Sequence, residues 1–246
     1  RGSGVTLHSL FTISGGIMVP VSFDEPGVGV CVSTGELTRY ALFNQSLAML
    51  HVPNESCLIW TSGPLIAANM NRNFAQFLKN EKLQYAWIMG DDHTFKPEVV
   101  MELLKHKLDV VVPLCMNREP PCAFTIIDES NNKHRDFDKV PTSGLFKLED
   151  FEVCGDAGML LSRKAVETLG PPWYESLISG TYTSEDRYFA RKIRQHGMDI
   201  WIDADVHLGH ITPCTISPIL TPDGWNVLFG VGHKPLAQFR PVPDNG

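Results

Sequence analysis

The chain has 246 residues, of which 43% are hydrophobic and 20% are charged. These values are ordinary for a soluble globular protein, and the length fits one large domain or two small ones. The formal net charge of −7 argues against a general nucleic-acid binder, because such proteins present a basic surface. It is compatible with a nucleotide that is held through a metal ion.

The apolar segments and the cysteines predict a cytoplasmic protein. No apolar run approaches the roughly 20 residues that a membrane-spanning helix needs, so no transmembrane segment is expected. The six cysteines form no C-x-x-C pair and are expected to be reduced thiols. Cys31, Cys57 and Cys115 fall in strand-like apolar runs. There, a free thiol is expected to act as a small hydrophobic side chain.

Apolar runs and helical spacings alternate along the first half of the chain. Because continuous valine-rich runs between helices are typical of a parallel sheet covered on both faces, this half predicts an α/β fold. Strands are predicted at residues 28–32, 57–60, 85–89 and 109–113, and helices at residues 36–50, 69–79 and after Pro97.

The second half is less regular. Residues 119–150 are polar and contain prolines, which indicates a long excursion with a short hairpin or a mobile loop. The remaining predicted elements are sheet-like sequence at 151–161, a helix at 163–169, a helix with Ser184 as its N-cap, and a strand at 200–202. We therefore predict an N-terminal extension (1–27), a main α/β domain (28–212) and a proline- and glycine-rich C-terminal tail or lid (213–246).

The most informative motif follows the predicted strand at 85–89. Gly90 precedes two adjacent carboxylates, Asp91 and Asp92, and then His93. Two such carboxylates repel each other, and burying them is costly unless a cation compensates. Since open α/β sheets bind ligands at the carboxyl ends of their strands, the motif predicts a hard cation completed by phosphate oxygens. A helix-capping turn is the alternative, but it explains only one of the two acids.

Two later motifs carry further chemistry. Glu185 and Asp186 occupy the first turn of a predicted helix, where they either favour the helix dipole or act as a general base toward an acceptor hydroxyl. His207 and His210 follow the late strand. A histidine at that place either joins a carboxylate on a cation or is an ordinary core or surface residue.

In this order, the three motifs resemble those of GT-A-fold glycosyltransferases, in the broad inverting, family-2-like group that uses nucleotide-activated sugars. The resemblance covers roughly residues 28–212. It implies a Rossmann-like, mostly parallel sheet flanked by helices, with a small antiparallel portion. It also implies transfer of a hexose from a UDP- or GDP-linked sugar, with Mn²⁺ or Mg²⁺ as cofactor. The acceptor would be a glycan, a protein, a lipid or a small molecule.

The resemblance assigns the metal ligands in two ways. Aligned on Phe95 and Pro97, Asp92 takes the metal-binding position of a D-x-D-like motif, and Gly90 stands where the family has its first acid. In the other alignment Asp91 is the first acid and His93 takes the last position. We expect Asp92 and His210 to bind the metal, with Asp91 supporting them or facing the nucleotide.

The resemblance also implies roles for other residues. Asp186 is expected to be the catalytic base, with Glu185 as its substitute. Gly158 is expected in a small-residue turn that lines the sugar pocket. The residues expected to contact the nucleotide or its diphosphate are Ser33, Thr34, Glu36, Asn69 and Arg72.

Other functions remain open at this point. A hydrolase could use Asp91, Asp92 and His93 on a nucleotide sugar or phosphoester, and the glycine at position 90 also suits a degenerate nucleotide-sugar-binding module. A sugar-nucleotide pyrophosphorylase is less favoured, because the turn after the first strand has one glycine and an acid. Residues 232–235 resemble a diphosphate-binding H-K-P element of some retaining sugar transferases, so inversion and retention both stay open.

Overall fold

A computed structural model describes residues 5–6, 11–14, 17–20, 25–35, 40–118, 122–178, 181–182, 184–222, 224–231 and 234–239. The helices are α1 Ala41–Ala48, α2 Ile66–Phe77, α3 Val99–Leu104, α4 Arg163–Leu169 and α5 Glu185–Gln195, with a 3₁₀ turn at Phe137–Lys139. The strands of the first half are β1 Val5–Thr6, β2 Phe11–Ser14, β3 Ile17–Pro20, β4 Gly27–Thr34, β5 Cys57–Ser62, β6 Leu83–Gly90, β7 His93–Thr94 and β8 Val110–Leu114. Those of the second half are β9 Ile126–Asp128, β10 Lys133–His134, β11 Leu145–Lys147, β12 Glu152–Cys154, β13 Leu160–Ser162, β14 Leu177–Ile178, β15 Thr181–Tyr182, β16 Trp201–His207, β17 Gly209–His210, β18 Cys214–Thr221, β19 Gly224–Val231 and β20 Lys234–Phe239.

An eight-stranded sheet forms the centre, in the order β1-β5-β4-β6-β13-β8-β16-β11. Strands β4, β5, β6, β8 and β16 run in one direction, and β1, β13 and β11 run in the other. Every residue of β4 and β8 is buried, as expected for strands covered on both faces. The predicted α/β class with a mostly parallel sheet is confirmed.

The core lies on both sides of this sheet. Along β6, Ala86 and Ile88 belong to one apolar cluster, and Trp87 and Met89 belong to the other. This alternation follows from the two-residue period of a strand. Helices α2, α4 and α5 contribute to the first cluster, and α1 and α3 contribute to the second.

Strand register brings the ends of distant segments together. Ser33 at the end of β4 lies opposite Gly90 at the end of β6. Beyond β6, strand β7 pairs with β17, which places His93 opposite His210. The backbone N–H of Ile211 also donates to the carbonyl of Asp92, at 2.7 Å. The turn after β6 and the segment after β16 are therefore held to each other.

The polar excursion contains the predicted hairpin. Strands β9 and β10 pair, and β12 completes a small antiparallel sheet beside them. Arg135 and Glu152 form an ion pair between this hairpin and β12, with Nε 2.7 Å from Oε1. Both side chains are nearly buried, at 11% and 5% exposure. The pair therefore fixes the excursion to the rest of the protein.

The C-terminal segment is more regular than its composition indicates. Strands β18, β19 and β20 form an antiparallel sheet, with a turn at Gly224, which has φ +103°. Pro218 is tolerated because β18 is an edge strand. Within the resemblance to an H-K-P element, Gly232 and His233 lie outside the described residues. No helix among the described residues is long and apolar enough to cross a membrane.

Candidate active site

A cavity of about 940 Å³ opens where β4, β6 and β8 end and α5 begins. Open α/β sheets bind their ligands at this edge. The residues that line it are Ser33, Gly35, Tyr40, Ile66, Met70, Gly90, Asp91, Asp92, His93, Cys115, Asn117, Arg118, Thr125, Gly155, Asp156, Ala157, Glu185, Asp186 and His210.

Asp92 lies at the centre of a group of positively charged side chains. Its Oδ2 is 3.2 Å from His210 Nε2 and accepts a hydrogen bond from Arg118 Nη1 at 2.9 Å. Its Oδ1 is 2.9 Å from His93 Nδ1. Burial alone would raise the pKa of the Asp92 carboxyl, but the two imidazoles outweigh it and hold that pKa far below its usual range. Asp92 is therefore a carboxylate, available to a cation.

The orientation of His210 suits a metal ligand. Its Nδ1 lies 2.9 Å from the carbonyl oxygen of Met116, which can only accept, so Nδ1 carries a hydrogen and Nε2 points to Asp92. Ligating histidines are commonly oriented by such a carbonyl. Burial lowers the pKa of His210, yet Asp92, Cys115 and Met116 together raise it to about 10. Without a cation the ring is thus an imidazolium, and a metal would take the place of its Nε2 proton.

His93 and Cys115 extend the group inward. The rings of His93 and His210 stack with centroids 4.3 Å apart. One ring nitrogen of each and the sulfur of Cys115 all lie within 4.8 Å of one another. Burial lowers the pKa of His93, but its neighbours Asp92 and Cys115 raise it to about 9. Burial raises the pKa of the Cys115 thiol, and the two imidazoles bring it down to about 7.

Cys115 was expected to be a small core hydrophobe, and the residue is 4% exposed and belongs to the apolar cluster that contains Trp87 and Met89. It has a second environment that was not expected. Strand β8 ends at Leu114, so Cys115 is the next residue and lines the cavity at the carboxyl edge of the sheet. The signal that could have identified it is its position directly after a buried strand. All six cysteines are free, as expected.

Gly90 and Asp91 have distinct structural roles. A Cβ at position 90 would lie 3.0 Å from Asp92 Oδ1, so the glycine leaves room for the Asp92 side chain. Asp91 lines the cavity, and its Oδ2 accepts a short hydrogen bond from Thr34 Oγ1. This bond connects the carboxyl ends of β4 and β6.

The residues predicted to bind the nucleotide divide into two groups. Ser33 is part of the cavity wall, whereas Thr34, Asn69 and Arg72 are not. The Asn69 amide donates to the carbonyls of Thr34 and Gly63 at 3.1 and 2.9 Å. A second layer of side chains thus holds the wall in place.

Arg72 belongs to that second layer, since its Nη2 donates to the Ser62 carbonyl at 3.0 Å and also to Asn69 Oδ1. The predicted contact at Glu36 lies outside the described residues.

The predicted small-residue turn is present, but Gly158 stands behind the wall. It has φ +73°, and an added Cβ would lie 2.6 Å from Pro113 Cγ and 2.8 Å from Leu208 Cδ1. Glycine is required there by backbone conformation and by packing. The preceding residues of the same turn, Gly155, Asp156 and Ala157, line the cavity.

A group of carboxylates occupies another part of the wall. Asp186 and Glu185 reach it from the first turn of α5, and the Asp186 Oδ1 accepts the Arg187 N–H at 2.7 Å. Asp156 is half-buried in this wall, and it accepts a hydrogen bond from Tyr174 Oη at 2.7 Å. Burial, followed by the charge of Asp186, raises the pKa of Asp156 to about 7.

Sequence reasoning missed Asp156 and Arg118. The available signal for Asp156 was a lone acid in the otherwise apolar stretch 153–161. Arg118 follows β8 by four residues and has no motif of its own. Only the fold shows that it reaches Asp92.

No protein-family profile and no curated protein sequence matches the chain. Solved structures do match it. The crystal structure of A197 from STIV superposes with a TM-score of 0.51 at 13% identity, over 85% of this chain and 95% of that one. The structure of GalNAc-T7 with UDP, GalNAc and Mn²⁺ gives a TM-score of 0.52 at 10% identity, over 76% of this chain. The match spans 44% of the GalNAc-T7 chain. At such identities the likeness shows the fold alone, which is the GT-A fold of glycosyltransferases.

Proposed function

We propose that the protein is a metal-dependent glycosyltransferase that moves a sugar from a nucleoside diphosphate sugar to an acceptor hydroxyl, with inversion at the sugar carbon. One observation carries the proposal. The candidate metal ligands Asp92 and His210 share a single cavity with Asp186 and Asp156, at the ligand-binding edge of a GT-A sheet. The cavity thus combines a site for a charged leaving group with bases for an acceptor.

The donor atoms fit a divalent cation. Asp92 would bind it through a carboxylate oxygen and His210 through Nε2, the nitrogen left facing the cavity by the bond to Met116. A mixed oxygen and nitrogen set suits Mn²⁺ better than Mg²⁺, which prefers oxygen ligands. When bound, the cation supplies Lewis-acid stabilisation to the departing diphosphate.

Arg118 is proposed as a ligand of the donor diphosphate. Its guanidinium already pairs with Asp92 and is half exposed at the mouth of the site, with 48% of its side chain accessible. A guanidinium matches phosphate oxygens with two parallel hydrogen bonds. Arg118 would therefore turn from Asp92 to the phosphates when a cation occupies the carboxylate.

The wall at the ends of β4 and β6 is proposed to hold the nucleotide. Ser33 and Asp91 lie in that wall, and the hydrogen bond from Thr34 orients the Asp91 carboxylate. Asn69 and Arg72 are proposed to act indirectly, since their polar atoms hold the loop after β5. Contacts from Glu36 and Gly158 to the donor remain predictions.

Asp186 is the proposed base for the acceptor hydroxyl, with Glu185 as its substitute. Both lie in the first turn of α5 and line the cavity. Asp156 is a second candidate, because its pKa of about 7 lies where a general base works best at neutral pH. Substitution of each residue separately distinguishes the two.

The test is a donor screen with and without Mn²⁺. UDP- and GDP-sugars are offered with glycan, peptide, lipid and small-molecule acceptors. Nucleotide release and calorimetric binding are measured, and the anomeric configuration of the product is read by NMR. The proposal predicts that binding needs Mn²⁺ and that release needs an acceptor. Release without an acceptor would indicate a hydrolase, binding without release would indicate a binding module, and a retained configuration would contradict inversion.

A further inference from the structure

The cluster of His93, Cys115 and His210 contains a cysteine sulfur, a ligand that a hard cation such as Mn²⁺ or Mg²⁺ does not require. Its three potential ligand atoms are two imidazole nitrogens and one sulfur, all within 4.8 Å of one another. Tetrahedral zinc holds such ligands about 3.5 Å apart, given metal–ligand distances of about 2.0 to 2.3 Å. A closing movement of up to about 1.3 Å between any two of the atoms would bring the three to that separation.

His93 has the unsatisfied hydrogen-bonding capacity that a metal ligand would show without its ion. Its side chain is 7% exposed, and neither ring nitrogen makes a hydrogen bond of acceptable geometry within the described part of the chain. The 2.9 Å approach of Nδ1 to Asp92 Oδ1 is an electrostatic contact. Buried polar atoms are nearly always paired in proteins, so this ring indicates a partner of another kind.

Cys115 is buried beside both rings, and this decides which cation the cluster favours. Thiolate and imidazole ligands select zinc among the common divalent ions, whereas manganese and magnesium favour oxygen. Affinity at such a site also rises from Mn²⁺ to Zn²⁺ in the general order for first-row metals. Tetrahedral zinc sites with three protein ligands leave the fourth position open for water or substrate.

We propose that His93, Cys115 and His210 form a nitrogen–sulfur site for a thiophilic divalent cation, Zn²⁺, with Cys115 as the residue that sets the preference over Mn²⁺. Asp92 or a donor phosphate supplies the fourth ligand. The inference rests on the proposed function only for that fourth position. Because His210 is also a ligand of the cation in the proposed function, Zn²⁺ and Mn²⁺ would compete for the same place.

Co²⁺ serves as a spectroscopic substitute for Zn²⁺ in the site. Metal-free protein is titrated with Co²⁺, and the thiolate-to-cobalt charge-transfer band in the near ultraviolet is recorded. We expect the band in the native protein, its loss in Cys115→Ser, and its retention in Cys214→Ser, which removes an exposed cysteine outside the cluster. Competition with a chromogenic chelator should show Zn²⁺ affinity about tenfold or more weaker in Cys115→Ser, with a much smaller change for Mn²⁺.

A measurement on the native protein tests the site even if the Cys115→Ser variant fails to fold. The zinc K-edge absorption spectrum of the full chain should contain one sulfur ligand at about 2.3 Å. A spectrum with nitrogen and oxygen ligands alone, or a charge-transfer band that survives in Cys115→Ser, overturns the site.

The site and the proposed function can fail separately. A protein that shows the sulfur ligand but transfers no sugar from any donor keeps the site and refutes the function. A protein that transfers sugar with Mn²⁺ but shows no sulfur ligand keeps the function and refutes the site.

Discussion

His210 Nε2 lies 3.2 Å from Asp92 Oδ2, although 118 positions separate the two residues in the chain. Two features of the backbone produce this contact. Strand β7 pairs with β17, so that His93 lies opposite His210, and the Ile211 N–H donates to the Asp92 carbonyl. Gly209 allows the approach, because a Cβ there would lie 2.3 Å from Thr94 Oγ1.

Replacement of Asp92 by Asn should weaken Mn²⁺ binding about tenfold or more, because the amide keeps the size of the carboxylate and loses its charge. Paramagnetic resonance of free Mn²⁺ measures the affinity directly. Asp136→Asn is the matched control, since Asp136 is an exposed carboxylate paired with Lys139 outside the cavity. Equal Mn²⁺ affinities in the two variants would show that Asp92 is not a metal ligand.

Replacement of Asp186 by Asn should lower kcat by about 10² to 10⁴, the usual contribution of a general base, while donor affinity stays nearly constant. Single-turnover rates and donor titrations measure the two quantities separately. Glu185→Gln should have the smaller effect, because Glu185 is the proposed substitute. If Asp156→Asn shows the large loss and Asp186→Asn retains native turnover, the base is Asp156.

The order of motifs predicts the meeting of Asp92 with His210, because both follow buried strands whose carboxyl ends share one edge. The same reasoning applies to Cys115, which directly follows the buried strand β8. The contribution of Arg118 could not be predicted in this way, because it belongs to no local pattern and only the position of β8 in the sheet brings it to Asp92. The same limit applies to hydrogen-bond geometry, such as the unsatisfied ring of His93.

Secondary structure was predictable where local patterns agree with tertiary packing. Helix α4 occupies the predicted residues, with Ser162 Oγ accepting the Ala165 N–H at its N-cap. Strand β16 runs on to His207, past the predicted residues 200–202, and the prediction stopped short because two acids follow Ile202. One of them, Asp203, is buried and lies 2.6 Å from His106 Nε2. A buried polar contact of this kind between distant residues makes a core strand resemble a polar loop in the sequence.

The raised pKa of Asp156 predicts a pH dependence of stability. Its pKa is about 7 in the folded protein against 3.8 for an ordinary carboxyl. Between these values the folded state binds more protons than the unfolded state, so stability falls as pH rises. The contribution is fully present below about pH 4 and is lost as the pH passes 7, at up to about 1.4 kcal/mol per pH unit.

Urea unfolding of the metal-free protein between about pH 4 and pH 6 measures this contribution, because the raised pKa values of His93 and His210 lower stability only above this window. Asp156→Asn should remove the fall, because the neutral amide still accepts the hydrogen bond from Tyr174 and has no proton to lose. Asp138→Asn, at an exposed carboxylate, should leave the fall unchanged. A native profile that is flat in this window would contradict the assignment.

Gly158→Ala should destabilise the protein by about 1–3 kcal/mol through overpacking, in addition to backbone strain. The added methyl group would press on Pro113 and Leu208. Gly144→Ala is a closely matched control, because Gly144 has φ +79° and an added Cβ there would meet no atom within 4 Å beyond its chain neighbours. Thermal and urea unfolding of both variants separate overpacking from backbone strain. If the two variants lost equal free energy of unfolding, backbone strain alone would account for the effect of Gly158→Ala.

The ion pair of Arg135 and Glu152 fixes the hairpin of the excursion, so its loss should cost more than that of a surface pair. Arg135→Ala leaves a buried carboxylate with a single hydrogen bond, from the Glu149 N–H at 3.0 Å. Breaking a buried pair in this way costs about 3–5 kcal/mol. It also removes the guanidinium from the ring of Phe146, 5.3 Å away.

An exposed pair provides the comparison. Lys164 and Asp109 are 3.0 Å apart with side chains 79% and 39% exposed, so Lys164→Ala should change the free energy of unfolding by about 1 kcal/mol or less. In the double variant Arg135→Met with Glu152→Gln, no charge remains buried, so much of the loss should be recovered. If Arg135→Ala were as mild as Lys164→Ala, the excursion would be held by its apolar contacts, and the buried pair would contribute little net stability.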